Sequence, residues 1–177
     1  GIAEQDIYDM IDDIRSRFKI DEDRLYLTGL SMGGGGTINQ SIAHPDMWAA
    51  IAPVCAGVSA DNADKVSNLS NLPVHIFVGS LDRPEGKRDL RDKLIAAGSP
   101  VVEYTEYPGI GHNSWEYAYK DGFILEWFSQ FKRNLFPERV QFSTSQFKHN
   151  KAYWVTLDNL TPGTLAKIDA TFSGKNT

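Results

Sequence analysis

The segment Gly-Leu-Ser-Met-Gly at residues 29–33 constrains the fold more than any other feature, because it directly follows the apolar run Leu-Tyr-Leu-Thr. A G-x-S-x-G sequence between a strand and a helix forces the central serine, Ser31, into a sharp, strained turn that lifts its hydroxyl clear of the sheet. Side chains at Gly29 and Gly33 would collide across such a turn. The first N–H groups of the following helix favour negative charge beside Ser31. The pattern predicts a candidate nucleophile; a glycine-rich loop without chemistry is the alternative.

Composition and net charge limit the number of domains and the kinds of binding partner that the chain can have. The chain has 177 residues, a net charge of −5 and 41% hydrophobic residues, which fits one globular domain or one domain with a small extension. The acidic balance argues against nucleic acid or an anionic membrane as principal partner and favours small molecules or neutral polymers. No signal peptide and no apolar run of 18 residues is present in the sequence, although a chain that starts at Gly1 can have lost such a segment by processing.

Helical and extended patterns alternate over the first three quarters of the chain and predict an α/β fold with a parallel sheet. Helices are predicted over residues 4–18, 38–43, 85–97 and 116–131. Buried strands are predicted over residues 25–30, 48–55, 73–79 and 101–107. Residues 56–71 show no clear period and predict a loop with one short helix. After Pro137 the pattern changes to alternation, which predicts a catalytic domain over residues 1–136 and an antiparallel β extension over 137–177.

A serine nucleophile needs a base to take its proton and a carboxylate to orient that base. Asp82 follows the predicted strand 73–79, and His112 lies in the glycine-flanked loop after the next strand. With Ser31, all three lie just beyond carboxyl ends of parallel strands, where sites collect in open sheets. The sequence therefore predicts a Ser31, Asp82, His112 triad.

Other candidate groups fit these roles less well. His44 precedes a proline at a helix end, His75 lies in a buried strand, and His149 belongs to the β extension. Five other acids lie before the strand that presents the acid or on a helix face: Asp46, Asp61, Asp64, Asp89 and Asp92. Cys55 as a nucleophile has no neighbouring motif, and as a single cysteine its default interpretation is a buried small hydrophobe. No His, Cys or Asp spacing suggests a metal site, and we expect no cofactor.

Three stretches carry a resemblance to a known family. They read DRLYLTGLSMGG at residues 23–34, HPDMWAAIAPVC at 44–55 and EYPGIGHNSW at 106–115. Over residues 4–133 the chain resembles bacterial α/β-hydrolases of the prolyl-oligopeptidase-like and carboxylesterase group, which includes feruloyl and acetyl esterases on plant polysaccharide as well as peptidases. The resemblance implies a three-layer α/β-hydrolase sandwich.

The same resemblance implies roles for particular residues. Ser31 matches the nucleophile, Asp82 the acid and His112 the base, while the backbone N–H of Met32 matches half of the oxyanion hole. Trp115 and Cys55 are candidates to line the acyl pocket, although aromatic core is the other interpretation of Trp115.

The implied activity is that of a carboxylesterase that forms an acyl-serine, with carbohydrate-linked esters as a candidate substrate class. A serine peptidase of prolyl-oligopeptidase type and a non-catalytic carbohydrate-associated or scaffold protein are the alternatives. Residues 139–177 look like the β extension of long, secreted bacterial members, which favours an extracellular or periplasmic location.

Two departures from the family pattern shape our expectations. Asp82 is followed by Arg83-Pro84 where the family has an aliphatic residue and proline. The family's N-terminal strands and its second oxyanion donor should precede the helix at residues 4–18. We therefore expect the sheet to lack those strands and the chain alone to be a poor catalyst. We also expect strand 25–30 to be a free edge that exposes Leu25 and Leu27 and permits self-association.

Overall fold

A computed structural model describes residues 2–174, and its centre is a four-stranded parallel sheet with the order β1-β2-β3-β4. The strands are β1 (Tyr26–Leu30), β2 (Ala50–Val54), β3 (Val74–Gly79) and β4 (Val102–Tyr107). In the register of β1 and β2, Tyr26 pairs with Ala50 and Leu30 with Val54. Strands β2 and β3 are buried along their whole length, as expected for a parallel sheet covered on both faces.

Helices cover both faces of this sheet. They are α1 (Ile2–Arg17), α2 (Met32–Ala43), α3 (Glu85–Ala97), α4 (Trp115–Ala118) and α5 (Phe123–Ser129). Because successive side chains of a strand point to opposite faces, Ile51 of β2 joins the core cluster beneath α2 and α3, whereas Ala52 joins the one beneath α5. The predicted α/β sandwich of three layers is therefore confirmed.

One predicted helix is broken in the structure, whereas the short helix predicted within residues 56–71 is present. The helix predicted over residues 116–131 is broken into α4, a 3-10 turn and α5, because Asp121 and Gly122 adopt left-handed φ angles of 55° and 75°. Residues 56–71, predicted as a loop with one short helix, hold a 3-10 helix over Ala60–Leu69. Its residues Val66 and Leu69 are buried in the core beneath α2 and α3.

The C-terminal extension forms two small antiparallel sheets. Strand β5 (Arg139–Thr144) pairs with β8 (Ala166–Thr171), and β6 (Lys151–Ala152) pairs with β7 (Val155–Thr156). Between β6 and β7, Tyr153 adopts a φ of 53° and turns the chain into a hairpin.

Buried polar contacts join the extension to the α/β part. The side-chain amide of Asn68 donates to the carbonyl of Ser143 at 2.9 Å and accepts from its N–H at 2.7 Å. The Tyr153 hydroxyl donates to the Pro45 carbonyl at 3.0 Å. The boundary at residue 137 stays a prediction.

Strand β1 lies at one edge of the sheet and, among the residues that the structure describes, pairs only with β2. Leu25 and Leu27 are nevertheless half-buried, because they pack against the cluster that contains Ile11 of α1. The expectation that these two leucines would be exposed is therefore wrong, whereas Leu30 at the end of β1 is exposed. Self-association through this edge stays a prediction. Between residues 2 and 174, no helix has the length and apolarity required to cross a membrane.

His75 is a buried imidazole in the middle of β3. Its Nε2 shares a hydrogen bond with the Thr105 hydroxyl at 2.8 Å, and its ring stacks on Phe77 with the centroids 4.0 Å apart. Burial lowers the pKa of His75 to about 4, although Glu103 opposes this shift. The predicted role as a core histidine agrees with this position.

This depressed pKa predicts a loss of stability in acid. A histidine in the unfolded chain titrates near pH 6.5, so below that pH the unfolded state takes up a proton that folded His75 resists until about pH 4. The contribution of His75 to the free energy of unfolding is therefore full above pH 6.5 and falls by about 3 kcal/mol towards pH 4. We expect urea unfolding of His75→Phe to lose about 3 kcal/mol less than wild type across this range. Parallel curves for the two proteins would contradict this origin of acid sensitivity.

Candidate active site

Ser31 lies in the turn between β1 and α2 with strained dihedrals, φ 52° and ψ −115°. Its N–H donates to the Val54 carbonyl of β2 at 2.9 Å, which fixes the turn to the neighbouring strand. A Cβ at Gly29 would lie 2.5 Å from the Gly33 carbonyl carbon, and one at Gly34 would lie 2.6 Å from the Val54 oxygen. The turn therefore requires glycine at residue 29, and the close packing of α2 against β2 requires glycine at residue 34.

The start of α2 presents backbone N–H groups beside Ser31. The first helical hydrogen bond runs from the Gly35 N–H to the Ser31 carbonyl at 3.0 Å. At a helix start, the N–H groups before the first helical hydrogen bond have no partner within the helix. Here they are those of Met32, Gly33 and Gly34. The Met32 N–H is one of these donors, and its role in an oxyanion hole stays a prediction.

Ser31, His112 and Asp82 form a continuous line of polar contacts. The Ser31 Oγ lies 2.7 Å from His112 Nε2, and His112 Nδ1 lies 3.1 Å from Asp82 Oδ1. An ionised carboxylate only accepts hydrogen bonds, so Asp82 favours the tautomer with the proton on Nδ1. Nε2 can then accept the Ser31 proton.

Strand ends and loop contacts bring these three residues together. Ser31 follows β1, Asp82 follows β3, and His112 lies beyond β4. The Leu81 N–H donates to the Ile110 carbonyl at 2.9 Å. This hydrogen bond connects the loop that carries Asp82 (the acid loop) to the loop that carries His112 (the histidine loop). A Cβ at Gly79 would overlap the carbonyl oxygens of Ile110 and Gly111, so only glycine lets these loops approach so closely.

Comparisons with known proteins identify the fold. No protein-family model matches the chain, and no curated protein matches it. Among solved structures, a thermostable esterase matches at 28% identity and a TM-score of 0.65, over 75% of this chain and 38% of the esterase. The chain has the α/β-hydrolase fold. The predicted α/β-hydrolase sandwich with an antiparallel extension is confirmed.

Two other α/β-hydrolase structures show the same fold at lower identity. S-formylglutathione hydrolase (FrmB) from Staphylococcus aureus matches at 21% identity and a TM-score of 0.56, over 69% of this chain and 58% of its own. A ferulic acid esterase matches at 20% identity and a TM-score of 0.57, over 68% of this chain and 56% of its own. The chain thus spans 38% to 58% of the length of these three proteins.

Lys87 supports the loop that carries Asp82, a role that the sequence did not predict. Its Nζ donates to the Asp82 carbonyl at 2.6 Å and to the Arg83 carbonyl at 3.2 Å, and lies 3.4 Å from Asp82 Oδ2. Arg83 adopts a φ of 48°, and the ammonium bridges the two carbonyls on either side of this bend. A lysine in the first turn of α3, five residues after the acid, was the available signal.

Cys55 lies beneath the loop that carries His112 and is 5% exposed. Its predicted role in lining an acyl pocket stays a prediction. It follows β2 with a φ of 56°, and its thiol donates to the His112 carbonyl at 2.9 Å. The Ser114 hydroxyl lies 2.8 Å from the same sulfur. Cys55 therefore holds the backbone that carries His112.

Trp115 lies beside His112, with the two rings edge to face and their centroids 5.6 Å apart. It is half-buried and packs against the core cluster that includes Ala118 and Phe77. Both predicted roles, aromatic core and a wall of the substrate site, are compatible with this position. Its role towards substrate stays a prediction.

The Cys55 contacts predict an effect on turnover. Cys55→Ala removes the donor to the His112 carbonyl, and leaving buried groups unpaired costs about 1–3 kcal/mol of stability. If His112 acts as the predicted base, we expect kcat to fall by about 10- to 100-fold with little change in KM, because a small displacement of a catalytic group can cost that much. Cys55→Ser keeps a donor and is the matched control, expected to retain most of the activity. Equal kcat in Cys55→Ala and wild type would contradict the positioning role.

Proposed function

We propose that this chain carries the catalytic residues of a serine hydrolase, a carboxylesterase that works through an acyl-serine intermediate. One observation carries the proposal: Ser31 Oγ, His112 and Asp82 are joined by contacts of 2.7 and 3.1 Å at the carboxyl edge of the sheet. The thermostable esterase at 28% identity supports it.

In the proposed reaction, Ser31 Oγ attacks the ester carbonyl carbon while His112 Nε2 takes the hydroxyl proton. Asp82 orients the imidazole and stabilises its charged form. The carbonyl oxygen gains negative charge next to the Met32 N–H, which is the half of the oxyanion hole that α2 supplies. Collapse of this intermediate breaks the ester C–O bond, and the alcohol leaves with the proton from His112.

Deacylation repeats the steps with water. His112 takes a proton from water as the water oxygen attacks the acyl carbonyl carbon, and the acid leaves as Ser31 recovers its proton. His112 Nε2 therefore accepts and returns a proton in both acylation and deacylation.

The substrate proposal rests on the side chains around the triad and on the resemblance. Leu30, Met32 and Leu81 adjoin Ser31 and Asp82 in the chain and are exposed, which suits an apolar acyl group at the open face. Esters linked to carbohydrate are the finer proposal, supported by the resemblance to feruloyl and acetyl esterases. An extracellular or periplasmic location is a proposal that rests on the extension alone.

A paired substrate panel tests this function. The intact protein should hydrolyse p-nitrophenyl esters, with kcat/KM for acetyl and feruloyl esters far above that for peptide p-nitroanilides. Preference for the anilides would identify a serine peptidase instead. Hydrolysis of neither class would favour the non-catalytic alternative.

A further inference from the structure

A second cluster of reactive side chains joins the α/β part to the extension. It consists of Glu4 in α1, His44 at the end of α2 and His149 in the 3-10 turn Phe147–His149. Each residue offers one ligand-type atom, and these three atoms lie within 4.8 Å of one another. The proposed ester hydrolysis uses none of the three residues.

The cluster is largely shielded from solvent. The side chains of Glu4 and His149 are 18% and 12% exposed, and Glu4 Oε1 lies 2.9 Å from His149 Nε2. The rings of His44 and His149 meet edge to face with their centroids 4.7 Å apart, and the rings of Tyr8 and His44 do so at 5.2 Å. The buried Nδ1 of His149 has no hydrogen-bond partner in the described part of the chain.

Two imidazoles and one carboxylate form a ligand set that zinc uses with water in the fourth position. Tetrahedral zinc bonds of about 2.0–2.1 Å place ligand atoms about 3.3 Å apart. The pair Glu4 and His149 is already that close, so small side-chain rotations would complete the set. A cavity of about 540 Å³ borders Glu4, His44 and His149 and leaves room for the water. We propose that Glu4, His44 and His149 bind a zinc ion that clamps α1, α2 and the extension together.

A change at Lys148 distinguishes a zinc site from a cluster that is held together by ion pairs alone. Its Nζ lies 2.5 Å from Glu4 Oε2, so it competes with a cation for this carboxylate. Its side chain is 53% exposed and can turn into solvent when zinc binds. Lys148→Met removes this competitor, so zinc should bind the variant at least as tightly as wild type. An ion-pair cluster without a metal gains nothing from that change.

Titration of the metal-free protein with zinc sulfate against a chromophoric zinc indicator tests the site. We expect one zinc per chain, and binding at least about 100-fold weaker in His44→Gln and in His149→Gln, since even outer-shell partners cost about 10- to 100-fold. His75→Gln and His112→Gln are matched controls and should bind like wild type. No zinc binding, unchanged binding in both His44→Gln and His149→Gln, or weaker binding in Lys148→Met would overturn the proposal.

Zinc K-edge X-ray absorption of the wild-type complex gives an answer that does not depend on how the variants fold. The triad supplies a competing group, because ligand-type atoms of Cys55, Asp82 and His112 also lie within 4.8 Å of one another. The proposed site predicts only nitrogen and oxygen neighbours, at about 2.0–2.2 Å. A sulfur neighbour at about 2.3 Å would place the zinc on Cys55 and contradict the proposal.

Discussion

Ser31→Ala is expected to lower kcat for ester hydrolysis by about 10⁴- to 10⁶-fold, and His112→Ala by nearly as much, because nucleophile and base act as one unit. The 2.7 Å contact between Ser31 Oγ and His112 Nε2 is the physical basis of this expectation. The double variant should be no slower than either single variant. Burst and steady-state kinetics on p-nitrophenyl acetate measure all three.

A His112→Ala enzyme that keeps a tenth of wild-type kcat would remove His112 from the mechanism. His75→Phe is a matched control, since it also removes an imidazole but lies within β3. At neutral pH it should leave kcat within a few-fold of wild type.

Asp82→Asn is expected to lower kcat by about 10³- to 10⁴-fold. An asparagine amide can donate to Nδ1 and so favours the tautomer with the proton on Nε2, which then cannot accept the Ser31 proton. Comparison of kcat in Asp82→Asn with that in Asp89→Asn, which changes an exposed carboxylate of α3 paired with Lys93, measures the effect. Asp82→Asn activity within tenfold of wild type would show that another group orients His112.

The turn around Ser31 could be predicted from sequence because its constraints are local. Glycine before the serine, an apolar strand ahead of it and a helix after it determine the conformation within a few residues. The collision expected for a side chain at Gly33 is wrong, since a Cβ there would meet nothing within 4 Å. The contacts between Ser31, Asp82 and His112 span the chain, yet parallel strands bring their carboxyl ends to one edge of the sheet. Their order along the chain was therefore enough to predict which loops would meet.

Other features depend on contacts that no local pattern encodes. The helix break and the hairpin each include a non-glycine residue with a left-handed φ, Asp121 and Tyr153, a conformation that non-glycine residues adopt only rarely. Cys55 contacts the His112 carbonyl only because the fold brings the end of β2 next to the loop that carries His112. The cluster of Glu4, His44 and His149 has no motif, since its members come from three distant elements. In each case tertiary packing, rather than local propensity, sets the outcome.

The most direct test of the proposed serine chemistry is covalent labelling with a fluorophosphonate, followed by peptide mapping. We expect one label per chain on Ser31, no label in Ser31→Ala, and normal labelling in Ser129→Ala, whose serine lies at the end of α5. A label on any other residue, or ester hydrolysis that survives in unlabelled protein after Ser31→Ala, would contradict Ser31 as the nucleophile.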